Sequence, residues 1–181
     1  MIFRETKLPG TLIIDPEPRV DERGFFARTW CAEEAREHGI DVSFVQSSIS
    51  YNPTAGTLRG LCFQRSPFEE DKLVRCTRGA VQDAVIDLRV DSPTYLKHLT
   101  VKLSDQNRRM LFVPRGLAHG FLTLQPETDV CYRMSRIHAP DFESGIRWDD
   151  PAFGIQWCRT VRLISDRDAN RPDFVHQEVL R

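Results

Sequence analysis

With 181 residues, 40% apolar and 28% charged, the chain can bury a sizeable core and has the balance of a soluble globular protein. A formal net charge of −1, with Lys and Arg dispersed, argues against any general attraction to nucleic acid or to an anionic membrane. No apolar stretch approaches the ~20 residues needed to cross a bilayer, and the opening MIFRETKLPG lacks a secretory core, so a single cytoplasmic domain over residues 1–181 is expected.

In chain order, TLII (11–14) reads as a short strand. A helix follows over Cys31 to His38, CAEEAREH, with Gly39 as its C-terminal stop. Strand chemistry then dominates: SFVQSSISY (43–51), TLRGLCFQ (57–64), KLVRCT (72–77), AVQDAVIDLR (80–89), HLTVKL (98–103), RMLFVP (109–114), HGFLTL (119–124) and DVCYRMS (129–135). Turn residues separate them, as at Pro53 to Gly56, Arg78-Gly79 and Pro114 to Gly116. Short strands in series without alternating helices predict an all-β fold, a closed or double-sheet antiparallel barrel such as a jelly roll. The tail after Asp173 is weakly patterned, which predicts loose packing or a subunit contact.

The five cysteines are odd in number, widely spaced and without a CxxC pair, so neither a disulfide framework nor structural zinc is expected. Reduced thiols are predicted, with Cys31, Cys76 and Cys158 acting as small apolar side chains.

Strand alternation puts Lys72 on one face with Val74 and Cys76, Tyr132 with Val130 and Met134, and His119 with Phe121. If those faces point inward, an ammonium, a phenol and an imidazole enter an apolar interior, which marks a binding cavity. The plainer readings remain open at this point: Lys72 reaching water along its stem, and His119 and Tyr132 as satisfied core residues. No glycine-rich phosphate loop, nucleophile elbow or clustered histidine set appears, so no metal is expected.

Longer segments carry a more specific signal. DERGFFARTW (21–30), FVQSSISYN (44–52), GTLRGLCFQ (56–64), KLVRCTRGAVQDAVIDLR (72–89), SPTY (92–95), VPRGLAHGFLTL (113–124), RWDDPAFGIQW (147–157) and LISDRDANRPDF (163–174) resemble the dTDP-4-dehydrorhamnose 3,5-epimerase family. The resemblance runs through nearly the whole chain in order. It implies a cupin-type jelly roll with one or two short helices, a homodimer with strand exchange or close sheet contact, and neither a metal nor a redox cofactor. The implied reaction is epimerisation at C3 and/or C5 of a nucleotide-diphosphate 4-keto-6-deoxy sugar. A C4 ketone acidifies the neighbouring hydrogens, so a base, an acid on the opposite face and a cation at the enolate oxygen suffice.

By resemblance, Lys72 would stabilise the enolate and Tyr132 would be the acid. Asp168 would orient the base, His119 would line the sugar pocket, and Asp83 would hold charged neighbours in place. Arg59 and Arg23 would grip the diphosphate, since an arginine fork suits phosphate oxygens. Phe26 falls in the GFF segment, and Gln46, Glu143 and Arg167 match positions on the nucleotide or at the site's rim.

Cys62 stands where the family has its basic histidine. Three readings follow: Cys62 is the base, once a cation lowers its thiol; the chain binds the sugar nucleotide with little activity; or a narrower, single-carbon reaction uses another base. The nucleobase end also departs. Arg28 replaces a glutamate, Ser47 and Ser48 replace Asp and Asn, and His138 takes an aromatic stacking position.

Overall fold

The structure is a computed structural model and describes residues 1–174. Strands β1 (Ile2–Glu5) and β2 (Leu12–Asp15) are followed by a small ribbon of β3 (Arg19–Asp21) and β4 (Gly24–Phe26). Helix α1 (Ala32–Glu37) then leads into β5 (Gln46–Asn52), β6 (Leu58–Gln64), β7 (Lys72–Arg78) and β8 (Ala80–Asp87). The series ends with β9 (His98–Ser104), β10 (Met110–Val113), β11 (Leu117–Thr123), β12 (Thr128–Met134), β13 (Glu143–Gly145) and helix α2 (Asp166–Ala169). One sheet runs β1-β2-β10-β7-β12-β5 and the other β13-β6-β11-β8-β9, with every strand pair antiparallel.

The two sheets enclose a core of Val74, Cys76, Val81, Val85, Leu103, Leu111, Phe121 and Val130, with Tyr132 packed against it. Burying a side chain the size of Phe121 contributes ~2 kcal/mol. Alternation sends the intervening residues outward, where each sheet meets a second layer. Leu73, Met110, Phe112, Leu12 and Ile14 pack under Ala35 of α1 and Ile40. Leu61, Ala84, Ile86 and Ala118 pack under Ile146 and Phe153. Buried on both faces, β8 therefore reads AVQDAVID with no solvent-facing row.

The predicted strands from 43 to 135 all form, within a few residues of their expected ends. Helix α1 is one residue shorter at each end than expected, with Cys31 and His38 as its caps and Gly39 just beyond at φ +77°. The cysteine expectation holds only for Cys76. Cys158 is exposed and Cys31 half-buried, because both lie in connecting segments rather than on an inner strand face; all five thiols are free. Of the tail, Phe174 packs on Phe153 with ring centroids 5.2 Å apart, and the remainder lies outside the described residues. Among the described residues, no helix is long and apolar enough to cross a membrane.

Candidate active site

The site is built on a break in the β6–β11 register. Cys62 pairs with His119 and Arg59 with Phe121, so three steps on β6 answer two on β11. Strict alternation would turn Arg59 and Cys62 to opposite faces; the extra residue brings both onto the inner side. Gly60 makes this possible. Its φ is +101°, and a Cβ there would lie 2.7 Å from the His119 carbonyl and 2.8 Å from Gly120 Cα.

Helix α2 closes over this bulge. Ser165 caps it by accepting the Asp168 amide at 3.2 Å, and Asp168 Oδ2 accepts the Gly60 amide at 3.2 Å. The other oxygen, Oδ1, faces Cys62 Sγ at 4.0 Å, the outer limit for a sulfur donor. Arg167 and Arg171 approach the same oxygen through their Nε atoms at 3.5 and 3.6 Å. Glu143 of β13 receives Arg167 at 2.7 Å and Arg171 at 3.3 Å. Burial first, and then the Asp168 carboxylate, push the Cys62 thiol above its ordinary range; Arg171 and, more weakly, Lys72 pull it down without winning. Arg59, Cys62, Arg167 and Asp168 line one cleft of about 510 Å³.

The inward polar residues of the barrel lie beside this cluster. His119 Nε2 sits 3.0 and 2.9 Å from the two oxygens of Asp83, with both residues buried. The Tyr132 ring lies edge-on to His119, centroids 6.3 Å apart, and its hydroxyl meets Ser50 Oγ at 3.1 Å. Burial pushes the Tyr132 phenol upward, with the Ser50 contact opposing and Asp83 adding to it, so it is held protonated. Lys72 pairs with Met134 in the β7–β12 ladder, two positions along from the pairing of Val74 with Tyr132. Its side chain is 14% exposed and its Nζ lies 3.1 Å from Glu70. Neither Lys72 nor Tyr132 turns to bulk water.

The rim carries Gln46, whose Oε1 accepts the His138 amide at 3.0 Å, while His138 Nε2 stands 3.6 Å from Glu143. Ser48 is exposed opposite Tyr132 in the β5–β12 ladder. Arg59 donates to Asn52 at 2.7 Å. Cys62, Asp168, Arg167, Glu143, His138 and Gln46 are thus joined by successive contacts; Lys72, Asp83, His119 and Tyr132 lie beside them on the inner faces, and Arg59 and Ser48 lie further along the strands. Arg23, Phe26 and Arg28 do not join them within this chain. They lie on the β3–β4 hairpin and just after it, where Arg23 holds Asp21 and Arg28 holds Glu34 of α1. Arg171, Glu70 and Ser50 were not singled out from the sequence.

Two antiparallel sheets closed face to face around such a polar cleft define a cupin-type jelly roll. Within that class, the chain belongs to the dTDP-4-dehydrorhamnose 3,5-epimerase family of isomerases, whose model matches residues 5–176. A dTDP-4-dehydrorhamnose 3,5-epimerase of Methanothermobacter thermautotrophicus is 44% identical over 93% of this chain and 91% of its own. That of Sinorhizobium fredii is 40% identical over 96% and 90%. The crystal structure of the Bacillus anthracis enzyme, with TDP and PPi bound, superposes with a TM-score of 0.93 at 38% identity, covering 96% of this chain and 99% of that one.

Proposed function

We propose that the chain, working as one cupin unit in the cytoplasm, epimerises C3 and/or C5 of a dTDP-linked 4-keto-6-deoxy sugar. The observation that carries the reading is the grouping of the Cys62–Asp168 pair, Lys72 and Tyr132 between the sheets: Cys62 is opposite His119, the Tyr132 ring is edge-on to His119, and the Lys72 charge acts on Cys62. Cys62, as thiolate, takes the proton beside the C4 ketone. Negative charge develops on the ketone oxygen, and the Lys72 ammonium meets it. Tyr132, kept protonated by burial, returns a proton from the opposite face and inverts the carbon. Solvent exchange then resets the thiol and the phenol. Asp83 fixes His119, and the pair lines the sugar pocket.

Arg59 and Arg167 flank the cleft with guanidinium groups suited to a diphosphate, and Gln46, Ser48, His138 and Glu143 form the rim for the nucleoside. TDP bound to the Bacillus anthracis relative supports this nucleotide class. Val20 is 78% and Phe26 74% exposed on the β3–β4 hairpin, away from the cleft. Those side chains support a homodimer in which Arg23, Phe26 and Arg28 reach a nucleotide across the subunit contact.

Incubation with dTDP-4-keto-6-deoxyglucose in D₂O, followed by NMR, tests the reading. Deuterium entering C3, C5 or both is expected, and the labelled positions distinguish single from double epimerisation. No exchange between pH 6 and 9, with dTDP still bound, would overturn it.

A further inference from the structure

Arg171 stands against the proposed base, and the reaction as derived gives it no part. One guanidinium nitrogen lies 3.6 Å from Cys62 Sγ and 3.3 Å from Glu143 Oε1, while Nε lies 3.6 Å from Asp168 Oδ1. Its side chain is 13% exposed. The seat is built into the sheet: the cross-strand partner of Cys62 on β13 is Gly145, and a Cβ there would overlap the Arg171 guanidinium. Only a missing side chain lets arginine cross β13 to the sulfur.

The charges around Cys62 explain why a cation belongs there. Asp168 and Arg167 face it from α2, Arg171 from the segment after α2, Glu143 from β13 and Lys72 from β7; His119 is its neighbour on β11. Arg167 and Arg171 share Glu143 Oε1, and the Gly60 amide satisfies one oxygen of Asp168. An imidazole base becomes a cation when it takes a proton, so a carboxylate suits it. A thiolate base is an anion before it acts, and the same carboxylate repels it. The sign of the required partner is reversed.

We propose that Arg171 is the positioning residue of the Cys62 base: carboxylate, guanidinium and thiolate alternate, with Glu143 bonding Arg171, Asp168 flanking it, and Arg171 holding the sulfur. The proposal rests on the reading of Cys62 as base, and its test reads the thiol directly as well as the reaction. Alkylation of Cys62 by iodoacetamide is followed against pH in the full chain without substrate, resolved by mass spectrometry of the Cys62 peptide. Arg171→Gln is expected to move the midpoint upward by about one pH unit and to slow alkylation about tenfold at neutral pH. Arg171→Lys, which keeps the charge without the fork, recovers part of the shift and serves alone if the Gln variant does not fold. Deuterium exchange at fixed pH falls in parallel, with KM for the sugar nucleotide unchanged. An unshifted alkylation profile in a folded variant overturns the proposal. A shifted profile in a chain that shows no exchange supports the Arg171–Cys62 pairing while refuting the epimerase reading.

Discussion

Replacing Cys62 by histidine exposes how the base is supplied. An ordinary thiol, titrating near 8.5, is only ~3% thiolate at pH 7. Cys62 offers less, because burial and Asp168 push it higher. An imidazole near 6.5 is ~75% unprotonated at pH 7, a gain of at least ~25-fold in available base. Arg171, 3.6 Å from the sulfur, has to yield to the larger ring and offsets part of that gain. Cys62→His is therefore expected to raise deuterium exchange at pH 7 by about tenfold, and Cys62→His with Arg171→Ala by more. The pH profiles differ in shape. In the native chain the rate climbs about tenfold per pH unit from 6 to 8, whereas the histidine variant levels off above pH 7.5. Tyr132 remains protonated throughout, so no falling limb enters this window. NMR-monitored exchange over pH 6–9 reads both curves. A folded, dTDP-binding histidine variant no faster than the native chain at pH 7, or a native profile already level at pH 7, would refute the thiol as base.

Lys72→Ala should lower exchange ~10²- to 10³-fold, the usual cost of losing a donor at a developing oxyanion, while leaving dTDP affinity within about twofold in calorimetry. Gly60→Ala forces a Cβ against the β11 backbone at φ +101° and should destabilise by more than ~3 kcal/mol, a fall in Tm of about 10 °C by calorimetry. Asp87 would be raised by burial, but donors from Arg89, Ser92 and Thr94 outweigh that and bring its carboxyl down to about 2. Its contribution of about 2 kcal/mol is present above pH ~4 and lost as pH falls toward 2, so urea midpoints of Asp87→Asn and the native chain should converge below pH 3.

Strands β7, β9 and β12 were legible because one row of each faces an apolar interior, which period-two alternation records; β8, β10 and β11 are buried along their length and read instead as short apolar runs between turns, and β5 and β6 as strand-forming residues between turns. The same alternation places Lys72, His119 and Tyr132 on the inner face, where they are found. Other features left no periodic trace. The three- and four-residue strands β1, β3, β4 and β13 are too short to show alternation, and α2 completes barely one turn. The bulge at Gly60 defeats parity outright, since Arg59 and Cys62 share a face although three apart. Asp83 meets His119 across 36 residues, and Arg171 meets Cys62 across 109. Such contacts are set by sheet order, which no local pattern contains.

The strap from Leu163 to Phe174 holds half of the acid–thiol assembly yet belongs to neither sheet. Its ties to the barrel are mostly polar: the Leu58 amide to the Leu163 carbonyl, the Leu163 amide to Gly56, the Gly60 amide to Asp168, Arg167 and Arg171 to Glu143, Arg147 to Asp173 and the Phe174 amide to Asp150, with the Phe174 ring on Phe153. Segments held chiefly by polar contacts and short of sheet pairing detach at lower free energy than the sheets they cover. Under the proposed reading, chemistry and architecture are expected to fail at different thresholds: mild denaturant should silence deuterium exchange and bare the Cys62 sulfur to alkylating agents while the roll beneath stays folded.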